Sequence, residues 1–265
     1  MHPQFESLAQ ALAQAWKDGR TLALPPLDAS PQTRDEAFEV QDRMAEIIGD
    51  RCVGWKVGAA VKAVQVMEGH DGPIVGRLLA SRLFTTPGQL RGELFDGCTV
   101  ESEFAFRFTE NLPARSRPYT REEIDPLLVF HPGLELAGPR WSAAPGQRKG
   151  TTFDAIADNG VAAAYIVGDG VPDWKHLNLA TFKVTARMDG EDPIQTYSGE
   201  FRPDPADIVL QTVNGLSQRG IGMQAGDLIT TGSATLPTPM FAGQTYVSRF
   251  GDLMTLSLSL SMSRK

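Results

Sequence analysis

Apolar and polar residues follow two different periods along the chain. In residues 4–19 the apolar positions recur every three or four residues, which predicts a helix with one apolar stripe. A second helix is predicted from Ser30 and Pro31 to a stop at Gly49, because acidic residues follow its start. From Val53 onward, short apolar runs are separated by Gly and Pro, as is typical of strands and turns.

The part of the chain after Val53 combines strand patterns with a few helices. "YTREEIDPLL" contains a capping box from Thr120 to Glu123, and "PDPADIVLQTVNGLSQRG" begins a helix at Pro205. "DLITTGSA", "QTYVSRFG" and "LMTLSLSLSM" predict three strands near the C-terminus. Because helices do not alternate regularly with strands, a doubly wound parallel sheet is not expected. The pattern predicts an α+β fold with two parts, which are an N-terminal helical segment (residues 1–50) and a β-rich domain (residues 51–265).

The composition argues against several classes of protein. A net charge of −7 without any Lys/Arg-rich block argues against a nucleic-acid surface. No apolar run approaches the roughly eighteen residues of a membrane span, and polar residues interrupt the N-terminus where a signal peptide needs an apolar core. Cys52 and Cys98 are the only cysteines, which fits a reducing cytoplasm and excludes a Cys-rich zinc site. We therefore expect a cytoplasmic protein without a nucleic-acid or membrane partner.

The run "TVESEFAFRF", residues 99–108, alternates apolar and polar positions and predicts a strand. Its polar face carries Glu101 and Glu103, roughly 6.6 Å apart along the backbone, so each would raise the other's pKa unless a cation lies between them. A third acid, Glu135, lies in another apolar run, "HPGLELAGPRW". Three carboxylates from two extended segments suit Mg²⁺ or Mn²⁺, whereas a solvated strand face is the simpler interpretation of an E-x-E pair.

Further candidate residues stand in short motifs that also have structural explanations. Lys56 interrupts the apolar run "VGWKVG". If its side chain turns inward, it needs an anionic partner. On the solvent-exposed face of an edge strand it would need none. Asp158 lies in "DAIADNG", which also fits a turn or a helix cap. Thr231 and Ser233 end the run "GDLITTGSA", which fits a carboxylate site or an ordinary turn.

Taken in order, these motifs resemble the fumarylacetoacetate hydrolase superfamily, and most of all its 2-keto-4-pentenoate hydratase and 4-oxalocrotonate decarboxylase branch. The resemblance rests on "GWKVG", "ESEFAF", "LELAGPR", "IADN" and "AGDLITTGS", and it extends from about Val53 to the C-terminus. The "VQDRM" of the N-terminal segment also fits this branch. The resemblance implies a mixed β-roll with outer helices that assembles as a homo-oligomer.

The resemblance also implies roles for individual residues. These are metal binding by Glu101, Glu103 and Glu135, catalysis by Lys56, and substrate binding by Asp158, Thr231 and Ser233. Near a bound cation, we expect a moderate downward shift in the pKa of Lys56. Two positions depart from the family pattern, because Ile74 stands where an acid/base aspartate is expected and Val161 stands where a small hydroxyl is expected.

The function implied by the resemblance is that of a Mg²⁺-dependent lyase, of hydratase or decarboxylase type. Its substrate would be a 2-oxo or 2-hydroxydienoic acid such as 2-keto-4-pentenoate, in aromatic catabolism. One alternative is an acylpyruvate-type C–C bond hydrolase, for which Glu68 and His70 offer a His–Glu pair. Another is a weakly active partner subunit of a hydratase–decarboxylase complex, which would fit the absence of the acid/base aspartate.

Overall fold

The computed structural model describes residues 3–142, 146 and 148–262. Its helices are α1 (Pro3–Asp18), α2 (Arg34–Ile48), α3 (Lys62–Glu68), α4 (Gly92–Phe95), α5 (Arg121–Ile124), α6 (Thr152–Ala157) and α7 (Pro205–Gln218). Its strands are β1 (Cys52–Gly58), β2 (Ile74–Leu79), β3 (Leu83–Thr85), β4 (Gly88–Leu90), β5 (Thr99–Phe108), β6 (Leu128–Ala137), β7 (Ala162–Val167), β8 (Val184–Met188), β9 (Leu228–Ser233), β10 (Thr238–Pro239), β11 (Thr245–Phe250) and β12 (Met254–Leu260). The predicted division at residue 50 stays a prediction, and its outer ends at 1–2 and 263–265 lie outside the described residues.

Two mixed sheets form the β-rich part of the molecule. The larger sheet has the strand order β2–β1–β9–β5–β6–β7–β3, with β10 paired to β5, and the smaller has the order β4–β12–β11–β8. Most neighbouring strands are antiparallel, whereas β1–β9, β3–β7 and β4–β12 are parallel pairs. The predicted α+β class is confirmed, and the described residues contain no doubly wound parallel sheet.

The main core packs against the apolar face of β5. Phe104 lies with its ring centroid 5.5 Å from that of Phe130, and Phe106 lies 4.9 Å from Trp174 in an edge-on arrangement. Such aromatic pairs add stability beyond the area they bury. The predicted alternation along β5 is therefore correct, and core packing on one face fixes where the polar face of the strand points.

The N-terminal helices pack on each other and on α6 around a second apolar cluster. The second helix begins later than Ser30 and Pro31, because Thr33 is the N-cap and its side chain accepts a hydrogen bond from the amide of Glu36 at 3.2 Å. It ends as predicted at Gly49, whose φ of 71° lies in the left-handed region that favours glycine.

Several other local predictions match the structure. The capping box of Thr120 and Glu123 is present at α5. The helix α7 begins at Pro205, with the Asp204 carboxylate accepting from the amide of Ala206 at 3.0 Å. The three C-terminal strands are β9, β11 and β12. Within the described part of the chain, no helix is both long enough and apolar enough to span a bilayer.

Candidate metal centre

Three glutamates meet on one face of the larger sheet. Glu101 on β5 lies directly opposite Glu135 on β6, and Glu103 lies opposite Gly133. Residues two apart on a strand share a face, and directly opposed residues of an antiparallel pair have neighbouring side chains. One carboxylate oxygen of each glutamate accordingly lies within 4.8 Å of those of the other two. The structure thus brings together all three glutamates that the sequence singled out.

The charges of these glutamates are poorly neutralised. Both carboxylate oxygens of Glu103 and the Oε1 of Glu135 are buried, without a hydrogen-bond partner among the described residues. Burial, followed by the charge of Glu135, raises the pKa of Glu101 to about 8. Burial and both neighbouring carboxylates raise the pKa of Glu103 well above its usual value. Orphaned oxygens of this kind are hard ligands, so this residue set fits a divalent cation such as Mg²⁺ or Mn²⁺.

Lys56 lies on β1, between β2 and β9, so the edge-strand interpretation is wrong. Its side chain is 3 % exposed, and its Nζ lies 3.2 Å from the Oε1 of Glu135, an ion pair without the alignment of a hydrogen bond. Burial lowers the pKa of Lys56, but Glu135, Glu101 and Glu103 outweigh burial and raise it above its usual value. The upward shift arises because three carboxylates surround one ammonium, and the downward shift expected near a bound cation stays a prediction.

A short left-handed segment lies beside the lysine. Asn159, Gly160 and Val161 have φ values of 52°, 63° and 54°. A Cβ added at Gly160 would lie 3.2 Å from the Cδ of Lys56. The conformation is unfavourable for a β-branched residue such as Val161, and neighbouring contacts must hold it in place. The side chain of Asn159 supplies such contacts, since it accepts from the amide of Arg77 at 2.7 Å and donates to its carbonyl at 3.0 Å.

Asp158 is bound by an arginine instead of facing the site. The backbone amide and the Nε of Arg140 donate to its two carboxylate oxygens at 2.7 and 2.6 Å. The Asp158 carboxylate is fully buried and does not line the cavity that holds the glutamates. Burial raises its pKa to about 6 against the opposing effect of Arg140. The expectation that Asp158 binds substrate is corrected, because Arg140 already occupies both oxygens.

Thr231 and Ser233 both line the cavity of the glutamates. The hydroxyl of Thr231 donates to the carbonyl of Phe104 at 2.9 Å, and the hydroxyl of Ser233 donates to the carbonyl of Thr235. Both hydroxyl protons are therefore engaged within the protein. A contact between these residues and a substrate carboxylate stays a prediction.

The cavity has a volume of about 600 Å³ and is enclosed by β1, β5, β6, α3 and residues 197–205. Lys56, Glu101 and Glu135 lie in its wall. Ile74 and Val161, the two positions that depart from the family pattern, also line it. The cavity wall is therefore apolar at these two positions, where the family pattern predicts polar side chains.

A histidine and a fourth glutamate lie at the end of α3. The Nε2 of His70 is 3.8 Å from the Oε2 of Glu68, and its Nδ1 is 3.3 Å from the hydroxyl oxygen of Thr152. Both Glu68 and His70 line the cavity. Burial and the charge of Lys56 lower the pKa of His70, which favours the neutral imidazole.

Tyr165 is a residue of this site that the sequence did not indicate. It lies on β7 directly opposite Glu135, and its buried hydroxyl has no hydrogen-bond partner among the described residues. Gly133 makes room for it, since a Cβ there would lie only 2.0 Å from the Tyr165 hydroxyl oxygen. The surrounding run "AAAYIV" is typical of a buried strand, so only the pairing of β6 with β7 reveals this neighbour.

Comparisons with known proteins agree with this architecture. No family model matches the chain. It is 26 % identical to a 2-hydroxyhexa-2,4-dienoate hydratase of Comamonas testosteroni over 97 % of both chains. It is 27 % identical to a 2-oxo-hept-4-ene-1,7-dioate hydratase of Escherichia coli, over 94 % of this chain and 95 % of the relative.

Solved structures share the fold over most of the chain. The 4-oxalocrotonate decarboxylase of Pseudomonas putida G7, complexed with magnesium and adipate, has a TM-score of 0.85 at 22 % identity and covers 97 % of both chains. The fumarylpyruvate hydrolase of Pseudomonas aeruginosa, complexed with Mn²⁺ and pyruvate, has a TM-score of 0.55 at 16 % identity and covers 80 % of this chain and 90 % of its own. The resemblance read from the ordered motifs is thereby confirmed: relatives named as hydratases and decarboxylases match the chain over nearly its whole length, and solved structures that share its fold include a protein of the fumarylacetoacetate hydrolase family.

Proposed function

We propose that this protein is a lyase of hydratase or decarboxylase type that acts on a 2-oxo or 2-hydroxydienoic carboxylic acid with a divalent cation, Mg²⁺ or Mn²⁺. The observation that carries the proposal is the convergence of Glu101, Glu103 and Glu135, with buried oxygens that lack hydrogen-bond partners among the described residues. Relatives across nearly the whole chain include hydratases and a 4-oxalocrotonate decarboxylase, and two structural neighbours are complexed with magnesium or Mn²⁺.

The three glutamates would hold the cation, which supplies Lewis-acid stabilisation for negative charge that develops on a 2-oxo acid. Lys56 holds a proton on its Nζ, 3.2 Å from Glu135, and would transfer it to or from the substrate carbon during enol–keto exchange. Ile74 and Val161 make the cavity wall apolar at two positions. Thr231 and Ser233 would lie at the carboxylate end of the substrate, where each hydroxyl would turn from its backbone carbonyl to donate to the carboxylate.

A panel of 2-oxo acids and 2-hydroxydienoates tests the proposal. The full-length protein is assayed with Mg²⁺, with Mn²⁺ and with excess EDTA, and products are separated into hydrated and decarboxylated acids. We expect turnover of at least one acid that is lost with EDTA and restored by either cation. Turnover that persists in EDTA, or a cation that binds equally well to a Glu103→Gln variant, contradicts the proposal.

A second candidate is C–C bond hydrolysis of an acylpyruvate. The specific observation in its favour is the His70–Glu68 pair in the same cavity, because a neutral imidazole held by a carboxylate is suited to activate water. An acylpyruvate that is cleaved into pyruvate and a free acid, at a rate abolished by His70→Gln, would favour this function over the lyase. Conversely, hydration or decarboxylation that survives His70→Gln favours the lyase.

The state of assembly and the location in the cell are separate proposals. A homo-oligomer, a cytoplasmic location and a complex with a partner enzyme of the same pathway follow from the family and from the sequence composition. The partner-subunit alternative draws support from Ile74, which occupies the position of an expected acid/base aspartate. An isolated chain that is inactive with every acid but gains activity with a copurified hydratase would favour that alternative.

A further inference from the structure

Tyr165 is a buried phenol on the glutamate face of the larger sheet. Its side chain is fully buried, and its ring packs in an apolar cluster that includes Ala105 and Val167. Its hydroxyl has no hydrogen-bond partner among the described residues. A buried hydroxyl without a partner costs free energy, and a phenylalanine would fill the same space without that cost. Packing alone therefore does not account for the hydroxyl.

Strand register brings this hydroxyl close to Glu103. Tyr165 is paired with Glu135 across β6 and β7, but its hydroxyl lies over Gly133, where an added Cβ would be only 2.0 Å away. Gly133 in turn lies directly opposite Glu103 on β5. Side chains of directly opposed residues are neighbours, with Cβ atoms roughly 4.5–5.5 Å apart. The phenol thus takes the place of the side chain that would adjoin Glu103.

The hydroxyl and Glu103 are complementary but unpaired. Both carboxylate oxygens of Glu103 are buried and, like the Tyr165 hydroxyl, lack a hydrogen-bond partner among the described residues. Burial, followed by the charge of Glu103 and then that of Glu135, raises the pKa of Tyr165 well above its usual value, so the phenol keeps its proton. A protonated phenol is a donor, and an ionised carboxylate accepts through two oxygens. An unused donor therefore lies beside unused acceptors.

A cation at the three glutamates would not use all of their oxygens. The cluster needs one oxygen from each of Glu101, Glu103 and Glu135, so the second oxygen of Glu103 would stay buried and would still need a donor. Lys56 is ion-paired with Glu135. Thr230 on β9 is a rival hydroxyl. Burial and the two neighbouring carboxylates raise the pKa of Glu103, whereas Lys56 and Thr230 act against them.

We propose that Tyr165 is a positioning residue that donates its phenol proton to one carboxylate oxygen of Glu103 and so leaves only the other oxygen for the cation. This inference rests on the cation site of the proposed function and defines which ion that site prefers. Mg²⁺ demands a near-ideal octahedron of ligands, whereas Ca²⁺ takes about six to eight oxygens and accepts bidentate carboxylates. A glutamate limited to a single oxygen therefore favours Mg²⁺ over Ca²⁺.

Calorimetric titration of the metal-free protein with Mg²⁺ and with Ca²⁺ tests the assignment. Tyr165→Phe keeps the ring and removes the hydroxyl. We expect its affinity for Mg²⁺ to fall by about 10- to 100-fold, as for other groups that orient a metal ligand. Its affinity for Ca²⁺ should fall by less, so that the preference for Mg²⁺ drops by about tenfold. Tyr119→Phe, which loses a hydroxyl bonded to the Pro113 carbonyl outside the cavity, should keep both affinities.

Stability without metal distinguishes positioning from a structural role. In EDTA the Tyr165 hydroxyl has no hydrogen bond to lose among the described residues, so Tyr165→Phe should unfold at the same or a higher urea concentration than the unaltered protein. Tyr119→Phe should unfold at a lower concentration, because its bond to a carbonyl is lost. A clear fall in the urea midpoint of Tyr165→Phe overturns the assignment, since the hydroxyl would then support the metal-free fold.

The remaining results separate this assignment from the proposed function. A loss of Mg²⁺ affinity well below about tenfold in Tyr165→Phe, or an equal loss for both ions, overturns the role of Tyr165 but not the function. The same holds if Thr230→Val, and not Tyr165→Phe, loses the preference. An unaltered protein that binds neither ion overturns both. If Tyr165→Phe does not fold, Gly133→Ala replaces it, because the added Cβ would displace the hydroxyl. A lowered preference for Mg²⁺ then supports the assignment, and an unchanged one overturns it.

Discussion

Two buried acidic sites lie near the left-handed segment of Asn159, Gly160 and Val161, and they neutralise negative charge differently. At one, Arg140 gives Asp158 two donors, and its remaining groups donate to the carbonyls of Asp158 and Ala162 at 2.6 and 2.8 Å. At the other, three glutamates share the single ammonium of Lys56, and oxygens of Glu103 and Glu135 have no hydrogen-bond partner among the described residues. The first site is complete within the chain, whereas the second is not.

The difference distinguishes a structural acid from one that is kept for a ligand. Burying a charge is costly unless ion pairs and hydrogen bonds compensate it, and Asp158 receives that compensation from one arginine. The glutamates forgo it, which must lower the stability of the protein until a cation binds. The sequence alone marks Asp158 and the glutamates equally as candidates, and only their partners separate them.

The largest effect is expected at the lysine of the open site. Lys56→Met should lower turnover of any 2-oxo acid substrate by roughly 10²- to 10⁴-fold, because the proton on Nζ is lost. Mg²⁺ affinity should stay unchanged or rise slightly, since Lys56 no longer competes for Glu135. Steady-state kinetics and Mg²⁺ titration measure the two quantities. Lys62→Met, exposed on α3, is the control, and a kcat within about tenfold of normal for Lys56→Met would contradict the role.

Loss of the Arg140–Asp158 pair should lower the stability of the protein and not its activity. Arg140→Met leaves the buried Asp158 carboxylate without its partner, so the free energy of unfolding should fall by about 3 kcal/mol or more. Urea denaturation measures the change. Arg117→Met, whose parent side chain is 74 % exposed, should change stability by less than about 0.5 kcal/mol. A similarly small loss in Arg140→Met would mean that Asp158 does not depend on this pair.

Cation binding should neutralise the three glutamates, as Arg140 neutralises Asp158, and so stabilise the protein. At a Mg²⁺ concentration about a hundred times the dissociation constant, the protein should gain about 2.7 kcal/mol of stability, seen as a rise in melting temperature of several degrees. Glu103→Gln should lose most of this gain, whereas the exposed Glu110→Gln should keep it. Equal gains in both variants would place the cation elsewhere.

A smaller effect concerns pH. The pKa of Glu101 is about 8 in the folded protein against a usual value of 4.5, so between these values the folded state holds a proton that the unfolded state has lost. In EDTA, stability should therefore decrease as pH rises, by up to about 1.4 kcal/mol per pH unit for one proton. Asp158, with its pKa of about 6, has lost its proton in both the folded and the unfolded state above that pH. It therefore adds little to the slope between pH 6 and 8. Denaturation of Glu101→Gln should show a flatter profile there, and an unchanged slope would assign it to another group.

The local parts of the fold were predictable from the sequence. The alternation in β5 gives both its aromatic face and the shared face of Glu101 and Glu103, because a strand has a fixed period of two. Caps such as the Thr120–Glu123 box and Gly49 depend on residues a few positions apart. By contrast, the start of α2 at Thr33 was missed, since Ser30 and Pro31 offered an equally good entry.

The features that the sequence did not reveal depend on residues that are distant in the chain. Asp158 is hydrogen-bonded by Arg140, eighteen positions earlier, and no periodic pattern links the two residues. Tyr165 joins the glutamates only through the pairing of β6 and β7. The pKa of Lys56 is raised by three charges from two other strands, which the neighbours of the lysine in the sequence do not reveal. Val161 adopts a positive φ that its residue type disfavours, which only the surrounding packing imposes.

The direct opposition of Glu101 and Glu135 also has a consequence for how the chain assembles. A slip of one residue between β5 and β6 would turn Glu101 and Glu103 towards the phenylalanine core and separate them from Glu135. Only the correct register thus brings together the three carboxylates of the proposed cation site. Cation binding would then stabilise only those chains in which β5 and β6 are correctly paired. Chains with a shifted register would not gain this binding free energy. The same three carboxylates would therefore favour the correct strand register during folding, before any substrate binds.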